Sequence, residues 1–209
     1  MADRLLLFGG TFDPIHHGHL IAATTAAEWM GAARIVLIPS GRPPHKPAAG
    51  ITPGAHRLAM CRAAVQGDPR FSVCDFEVEA PGASYTILTV RHYRSVHPPS
   101  RELLWLIGLD ALRDLGSWRE AAALVDLCTI VTAARPGYAA PDWNTLRPVF
   151  REEQLARLAA NIVETPRVEI DATALRRRAA LGQSLRYFVP QAVEQYVRDH
   201  GLYQTKTGG

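Results

Sequence analysis

The chain has 209 residues, of which 47% are hydrophobic and 21% are charged, a balance typical of folded globular proteins and not of disordered ones. Its 23 basic and 20 acidic residues give a formal net charge of +3, which is too small to indicate a nucleic-acid-binding protein. No signal peptide fits the amino terminus, and no apolar run approaches the about 18 residues of a membrane span. We therefore expect a cytoplasmic protein without membrane or nucleic-acid partners.

The first half of the chain alternates between predicted strands and helices. Arg4 to Phe8 is a continuous apolar run that predicts a strand buried on both faces. His19 to Met30 has apolar residues on one helical face, and Gly31 is a suitable stop for that helix. Arg34 to Ile38 predicts a second buried strand. The Thr52-Pro53 pair then predicts the N-cap and first position of a further helix, which continues through about residue 65.

The same alternation continues toward the middle of the chain. Phe71 to Val78 alternates like a strand, and Ser84 to Ser95 has the pattern of a helix. Leu103 to Ile107 and Leu127 to Thr132 predict two more apolar strands. This β-α-β-α order predicts an α/β fold with a Rossmann-like, doubly wound parallel sheet and helices on both of its faces.

The last third of the chain has a different character. Residues 136–148 are rich in proline and polar groups and predict a surface loop. Beyond about residue 151 the pattern is mostly helical, with one short strand predicted near Arg167 to Ile170. We predict a single domain over residues 1–209, with a Rossmann-like core over about 1–135 and a small C-terminal helical cap over about 151–204.

The loop after the first predicted strand carries the strongest chemical signal. Gly9 and Gly10 let the backbone approach a phosphate closely, and the helix that follows presents free N–H groups. His16 and His19 would face the same side of its first turn, with Gly18 between them. The spacing fits neither the dehydrogenase fingerprint nor the P-loop. Because nucleotidyl transfer needs aligned reactants and donors around the phosphorus, the loop predicts phosphate chemistry.

The run GGTFDPIHHGHL in this loop resembles the signature of the HxGH nucleotidyltransferase superfamily, and its wording is similar to that of the bacterial nicotinate-nucleotide adenylyltransferase family. Further similar motifs extend the resemblance over nearly the whole chain: Pro43–Lys46, His56–Met60, Ser84–Thr86, Gly108–Asp110, Trp118, Leu185–Pro190 and Gly201–Tyr203. The resemblance implies an enzyme of NAD biosynthesis that transfers the adenylyl group of ATP to nicotinate mononucleotide, giving deamido-NAD and pyrophosphate. It implies in-line attack without a covalent intermediate, and Mg²⁺ that accompanies ATP without a dedicated protein metal site.

The resemblance also implies roles for individual residues. His16 and His19 would be catalytic, as donors to the reacting α-phosphate. The ATP-binding residues would be Gly9, Gly10, Thr11, Phe12, Gly18, Gly108, Asp110, Thr173 and Arg176. The mononucleotide-binding residues would be Lys46, Tyr85, Thr86 and Trp118, with Trp118 able to stack on the pyridine ring. The residues alone leave simpler roles open: a helix N-cap for Ser84 or Asp110, a solvated surface charge for Lys46 and a core position for Trp118.

This chain departs from the family's wording in two motifs. The usual ISSTxIR keeps Thr173 and Arg176 but has Asp171 and Ala172 in place of two serines, and the usual SYTxDT has Leu88 in place of its acid. Asp171 could cap the following helix or face the triphosphate and repel it. Two alternatives therefore stay open: a nucleotide-binding protein with weakened or lost catalysis, and an adenylyltransferase that acts on nicotinamide mononucleotide.

The remaining observations concern oxidation state and assembly. Cys61, Cys74 and Cys128 lack the spacing of a metal site, and we expect them to be reduced thiols in the core. The sequence leaves the oligomeric state open, with a homo-oligomer among the options. The expected partners are the small-molecule substrates ATP and nicotinate mononucleotide.

Overall fold

The computed structural model describes residues 3–44, 50–139 and 141–204. The strands in this part of the chain are β1 (Arg4–Gly10), β2 (Arg34–Pro39), β3 (Phe71–Val73), β4 (Glu102–Gly108), β5 (Thr129–Ala134) and β6 (Ile162–Glu164). They form one sheet with the order β3-β2-β1-β4-β5-β6, and every pairing in it is parallel. The predicted parallel sheet is therefore confirmed, and its strand order is the one typical of Rossmann folds.

The helices of the described residues connect and cover these strands. They are α1 (His17–Met30), α2 (Gly54–Ala64), α3 (Phe76–Glu79), α4 (Thr86–Val96), α5 (Leu109–Arg113), α6 (Ala121–Leu127), α7 (Glu152–Ala160), α8 (Ala172–Ala180) and α9 (Gln191–Asp199). Short 3₁₀ turns occur at Leu115–Ser117 and Trp143–Thr145. None of these helices is both long and apolar enough to cross a membrane.

The sheet is buried on both faces, as the continuous apolar runs predicted. Leu6 of β1 lies in a cluster with Ala23 and Ala26 of α1, whose small side chains allow the helix to pack closely. Leu5 and Leu7, which point to the opposite face, lie in a second cluster that includes residues of α4, α6 and α7. The doubly wound arrangement therefore follows from the period of two along each buried strand.

The C-terminal helices α8 and α9 pack beside the sheet. A third cluster joins Leu175 of α8 and Val193 of α9 to Met60 of α2 and to Phe12 and Ile15 of the loop after β1. The helical part of the predicted cap is thus limited to α8 and α9, because β6 pairs with β5 and α7 packs in the cluster on the sheet. The third cluster also brings the cap into contact with the loop that carries the histidines.

Two predicted strands are wrong in part. The strand predicted over Phe71–Val78 ends at Val73, because only its first residues pair with β2, and Phe76–Glu79 turns into α3. The strand predicted near Arg167–Ile170 lies instead at Ile162–Glu164, where Val163 is buried between β5 and the adjoining cluster. Arg167 and Glu169 pair with each other at the surface, and Ile170 packs against the hydrophobic cluster that joins α2, α8 and α9.

Helix starts differ from the sequence expectation by one or two residues. Pro53 is the N-cap of α2, not its first residue, so Thr52 does not cap that helix. Tyr85 is the N-cap of α4, and the hydroxyl of Ser84 instead accepts hydrogen bonds from the backbone N–H groups of Gly41 and Arg42. Ser84 is therefore a link between two loops. Gly31 ends α1 in the left-handed conformation, as predicted.

The cysteines are placed as expected for reduced thiols. Cys61 and Cys128 are buried free thiols, and Cys74 is partly buried. Burial raises the pKa of the Cys128 thiol to about 12 and raises that of Cys61 as well, so neither is a thiolate at neutral pH.

Candidate active site

The loop between β1 and α1 is fastened by hydrogen bonds from distant segments. Asp13, which is 4% exposed, accepts from the backbone N–H of Thr52 at 3.1 Å and from the Tyr203 hydroxyl at 2.7 Å. The Nη1 atom of Arg176 donates to the backbone carbonyl of Asp13 at 2.8 Å. Phe12, beside it, has a φ of 49°, a left-handed conformation that a non-glycine residue keeps only when its surroundings impose it. Tertiary contacts therefore fix the shape of this loop.

Arg57 is the second anchor of the loop. Its guanidinium, 1% exposed, donates to the carbonyls of Thr52 at 2.8 Å, Thr11 at 2.7 Å and Gly41 at 3.2 Å. A planar fork with several donors suits three diverging carbonyls, which a lysine could not all reach. Arg57 thus holds the loop after β1 against the loop after β2. Neither the buried arginine nor its partners could be identified from the sequence.

His16 and His19 form one unit at the start of α1. Their rings are stacked with centroids 3.6 Å apart, and the backbone N–H of His16 donates to Nδ1 of His19 at 3.2 Å. A ring nitrogen that accepts carries no hydrogen, so in this arrangement the hydrogen of a neutral His19 lies on Nε2. The edge of Phe12 packs against the His19 ring at 5.1 Å. These contacts set the direction in which His19 can donate.

His16 is held in an uncharged state by its surroundings. The side chain is 6% exposed, and its Nδ1 has no hydrogen-bond partner within the described residues. Burial lowers the pKa of His16 to about 4, against a smaller opposing effect of the Asp171 carboxylate. At neutral pH the histidine pair therefore includes a neutral imidazole, which packs against the first turn of α1.

Acidification from pH 7 to pH 4 is expected to remove about 3 kcal/mol of stability through His16 alone. The unfolded imidazole takes up a proton near pH 6.5, whereas the folded one does so only near pH 4. Between pH 6.5 and pH 4 the unfolded state therefore binds more protons than the folded state. The stability contributed by the neutral His16 is constant above pH 6.5 and is lost as the pH falls through this range. Urea unfolding at both pH values measures the effect in the wild type, His16→Gln and His17→Gln. Equal losses in all three proteins would contradict this origin.

A cleft of about 340 Å³ lies at the carboxyl ends of β1 and β4, where the strand order of the sheet reverses. This is the position at which open parallel sheets bind ligands. Seven of the residues predicted for substrate binding line it: Gly9, Gly10, Thr11, Tyr85, Thr86, Gly108 and Trp118. The structure thus brings residues of four separate sequence motifs to one cleft.

The glycines of the site differ in the space around them. A Cβ at Gly9 would lie 2.5 Å from the Trp105 ring, and one at Gly10 would lie 2.9 Å from the Phe12 ring. A Cβ at Gly18 would lie 3.1 Å from Nδ1 of His16, so this glycine lets the His16 ring pack against the first turn of α1. Gly108 has no atom within 4 Å of its Cβ position and opens directly onto the cleft.

Glu77 is an acidic cleft residue that the sequence did not reveal. It is buried, and its carboxylate accepts from the Thr89 hydroxyl at 2.6 Å. Burial raises the pKa of Glu77, and hydrogen bonds from Thr89, Ser84 and Ser40 oppose that shift. In the sequence it is one of two acids, with Asp75, in the alternating segment Phe71–Val78. Its carboxyl group thus links the loop after β2, which carries Ser40, to the segment before α4, which carries Ser84.

The altered family motif begins α8. Asp171 is its N-cap, and the carboxylate accepts from the backbone N–H of Ala174 at 2.7 Å. Of the two positions expected for Asp171, the structure therefore shows the one that caps the helix. Thr173 accepts from Arg176 at 3.2 Å, and Arg176 also reaches the loop after β1. Leu88, the other departure, is 40% exposed and does not line the cleft.

Seven predicted residues of the described part do not line the cleft: His16, Gly18, His19, Thr173, Arg176, Asp110 and Phe12. Asp110 stands in the first turn of α5 with its side chain 97% exposed and paired with Arg113 at 3.2 Å. Phe12 is buried in the cluster beneath the loop, so its side chain supports His19 from below. Lys46 lies outside the described residues. Within them, no group of three or more His, Cys, Asp and Glu side chains could hold a metal ion.

Comparisons with known proteins agree with this geometry. The family described as Cytidylyltransferase-like matches residues 7–178. A probable nicotinate-nucleotide adenylyltransferase of Thermomicrobium roseum is 42% identical over 203 residues, covering 97% of this chain and 92% of the relative. One of Thermus thermophilus is 41% identical over 201 residues, covering 96% and 100%.

Solved structures share the fold at low sequence identity. Nicotinic acid mononucleotide adenylyltransferase of Plasmodium falciparum, complexed with APC or with NaAD, superposes with TM-scores of 0.71 and 0.70. The identity is 16%, and the match covers 96% of this chain and 97% of the other. At that identity the likeness concerns the fold alone.

Proposed function

The chain belongs to the nicotinate-nucleotide adenylyltransferase family, and we propose on that basis that it transfers the adenylyl group of ATP to nicotinate mononucleotide, giving deamido-NAD and pyrophosphate. The observation that carries this proposal is the stacked His16–His19 pair at the start of α1, next to the cleft at the β1–β4 switch point. The donors at the helix N-terminus suit the reacting phosphate, and the apolar cleft suits the pyridine ring of the mononucleotide.

The transfer is a displacement at the α-phosphorus of ATP. A phosphate oxygen of the mononucleotide forms a bond to this phosphorus while the bond to the β-phosphate oxygen breaks, and pyrophosphate leaves with that electron pair. Negative charge spreads over the oxygens of the α-phosphate as the reaction proceeds. N–H donors of His16 and His19 and the N-terminus of α1 stabilise this charge, because they are already oriented by the contacts of the loop.

The cleft supplies the mononucleotide side of the reaction. Tyr85, Thr86 and Trp118 line it, and the indole of Trp118 is placed to stack on the pyridine ring. Lys46 remains our candidate for the mononucleotide phosphate. On the ATP side we assign Arg176 and Thr173 to the triphosphate, since both lie on the first turns of α8 beside the loop after β1.

Mg²⁺ bound to ATP would offset part of the charge of its phosphates. Of the carboxylates near the histidine pair, that of Asp13 is engaged by Thr52 and Tyr203, and that of Asp171 caps α8. Because both carboxylates are engaged by protein groups, the cation would be held by the phosphates of ATP and not by these side chains. We also propose a cytoplasmic location, which suits the three free cysteines.

The departures at Asp171 and Leu88 motivate the alternative of a nucleotide-binding protein without turnover. Asp171 directs its carboxylate at the N-terminus of α8, and Leu88 lies away from the cleft. Both positions support the catalytic proposal, because neither side chain removes a donor from the histidine pair. His16 and His19 are themselves unchanged from the family signature.

Pyrophosphate release with Mg²⁺ and ATP tests the proposal. We expect rapid release with nicotinate mononucleotide and much slower release with nicotinamide mononucleotide or phosphopantetheine. Silence with all three acceptors, together with measurable ATP binding, would support the nucleotide-binding alternative. An adenylylated enzyme trapped with ATP alone would contradict the direct displacement.

A further inference from the structure

Arg119 is the only cationic side chain among the described residues that line the cleft. The other charged residue there, Glu77, is buried and bonded to Thr89. The remaining lining groups are apolar, aromatic, hydroxyl or glycine. Arg119 is therefore the one positive charge in a lining that is otherwise uncharged or acidic among the described residues.

Two aromatic residues place Arg119 within the cleft. Its Cζ atom lies 4.9 Å from the centroid of the Tyr85 ring, at the distance of a cation–π contact, and it follows Trp118 directly in the chain. Both aromatic residues line the same cleft. The guanidinium beside Tyr85 thus lies in the cleft to which we assign the pyridine ring.

The acidic neighbour of Arg119 is engaged elsewhere. Glu120 accepts two hydrogen bonds from Arg91, at 3.1 Å and 2.5 Å, whereas its nearest contact with Arg119 is 3.8 Å. Arg119 therefore makes only a long ion pair with this carboxylate. Its in-plane N–H donors can serve a second acidic group of the right shape.

We propose that Arg119 is a specificity-determining residue that makes this cleft select a pyridine ring bearing a carboxylate over one bearing an amide. The inference rests on the proposed function, because it assigns the pyridine ring to the space beside Trp118. A carboxylate can accept two parallel bonds from a guanidinium, which an amide cannot match. The backbone N–H of Trp118 is already bound to the Leu115 carbonyl, so the selection does not come from that group.

Glu77, the acidic residue of the cleft, gives nicotinate mononucleotide a second reason to need Arg119. A carboxylate on the ring would be repelled by an ionised Glu77 in the same cleft, whereas an amide would not. The guanidinium offsets that repulsion only for the acid. Removing it should therefore weaken binding of nicotinate mononucleotide and leave nicotinamide mononucleotide nearly unaffected.

Steady-state pyrophosphate release and calorimetric binding, each with both mononucleotides, test the inference. We expect Arg119→Gln to lower the preference of kcat/KM for the nicotinate form about tenfold, mainly through KM. Arg119→Lys keeps the charge but not the planar fork and should fall between. Arg157→Gln removes one exposed arginine outside the cleft, paired with Asp126 at 3.0 Å, and should match the wild type.

The outcomes separate the two proposals. An active wild type whose preference is unchanged in Arg119→Gln, or that shows no preference, overturns the role of Arg119 and leaves the reaction standing. A wild type that binds both mononucleotides without pyrophosphate release overturns the reaction, and the binding preference then decides on Arg119. Absence of mononucleotide binding overturns both.

Discussion

His19→Ala is expected to lower kcat for pyrophosphate release by at least about a hundredfold, on the scale of removing one donor to a developing oxyanion. The backbone N–H of His16 donates to Nδ1 of His19, so a neutral His19 carries its hydrogen on Nε2, the atom that we expect to donate to the α-phosphate. Alanine removes that donor and also the stacking partner of the His16 ring. The loss should appear in kcat more than in the KM for ATP, because the contact strengthens as charge develops.

The chain offers a matched control in His17→Ala. His17 lies between the two histidines on the first residue of α1, and its backbone N–H donates to the Phe188 carbonyl at 3.0 Å, a bond that alanine keeps. We expect its kcat to stay within about threefold of the wild type. Circular dichroism and ATP binding establish that both variants are folded. A His19→Ala enzyme with nearly full kcat would contradict the role assigned to the pair.

The sequence predicted the parts of the fold that depend on local pattern. Arg4–Phe8 and Leu103–Ile107 are apolar runs that no surface position would tolerate, so their burial and parallel pairing followed directly. The strand predicted over Phe71–Val78 is wrong in its second half, because the sequence there also alternates like a strand. Phe76–Glu79 instead forms α3, in which Glu77 accepts from Thr89 of a later helix, a contact that no local pattern reports.

The candidate site divides in the same way. His16, Gly18 and His19 lie within one turn and could be paired from their spacing. Arg119 and Glu77 could not be placed in a cleft, because neither the arginine nor this one of several alternating acids differs in local pattern from a surface residue. Phe12 was predicted for ATP binding from its motif position alone, and its burial beneath His19 depends on residues of α2, α8 and α9.

Arg57 is the clearest case of such a non-local residue, and Arg57→Met is expected to destabilise the protein by about 4 kcal/mol. Methionine fills most of the volume but leaves the carbonyls of Thr11, Gly41 and Thr52 without their donor. It also removes the cation that lies close to the buried carboxylate of Asp13. Since whole proteins are stable by only about 5–15 kcal/mol, this loss is a large share of the total.

Arg62→Met is the matched control, because it lies in the same helix with an exposed guanidinium. Its bond to Asp75 at 2.9 Å joins side chains that are 55% and 41% exposed, so we expect a loss below about 1 kcal/mol. Thermal unfolding should therefore show a Tm roughly 10 °C lower for Arg57→Met and nearly unchanged for Arg62→Met. Equal Tm values for the two variants would mean that the three carbonyls find other donors.

The same substitution separates stability from loop geometry. At a temperature where Arg57→Met is fully folded, its kcat should still be reduced, because the Thr11 carbonyl is the contact that ties the histidine loop to α2. Arg57→Lys keeps the charge beside Asp13 but reaches fewer carbonyls, so it should recover more stability than kcat. If kcat and stability recovered together, Arg57 would act on the loop only through global folding, and the position of His16 and His19 would depend on the Asp13 contacts alone.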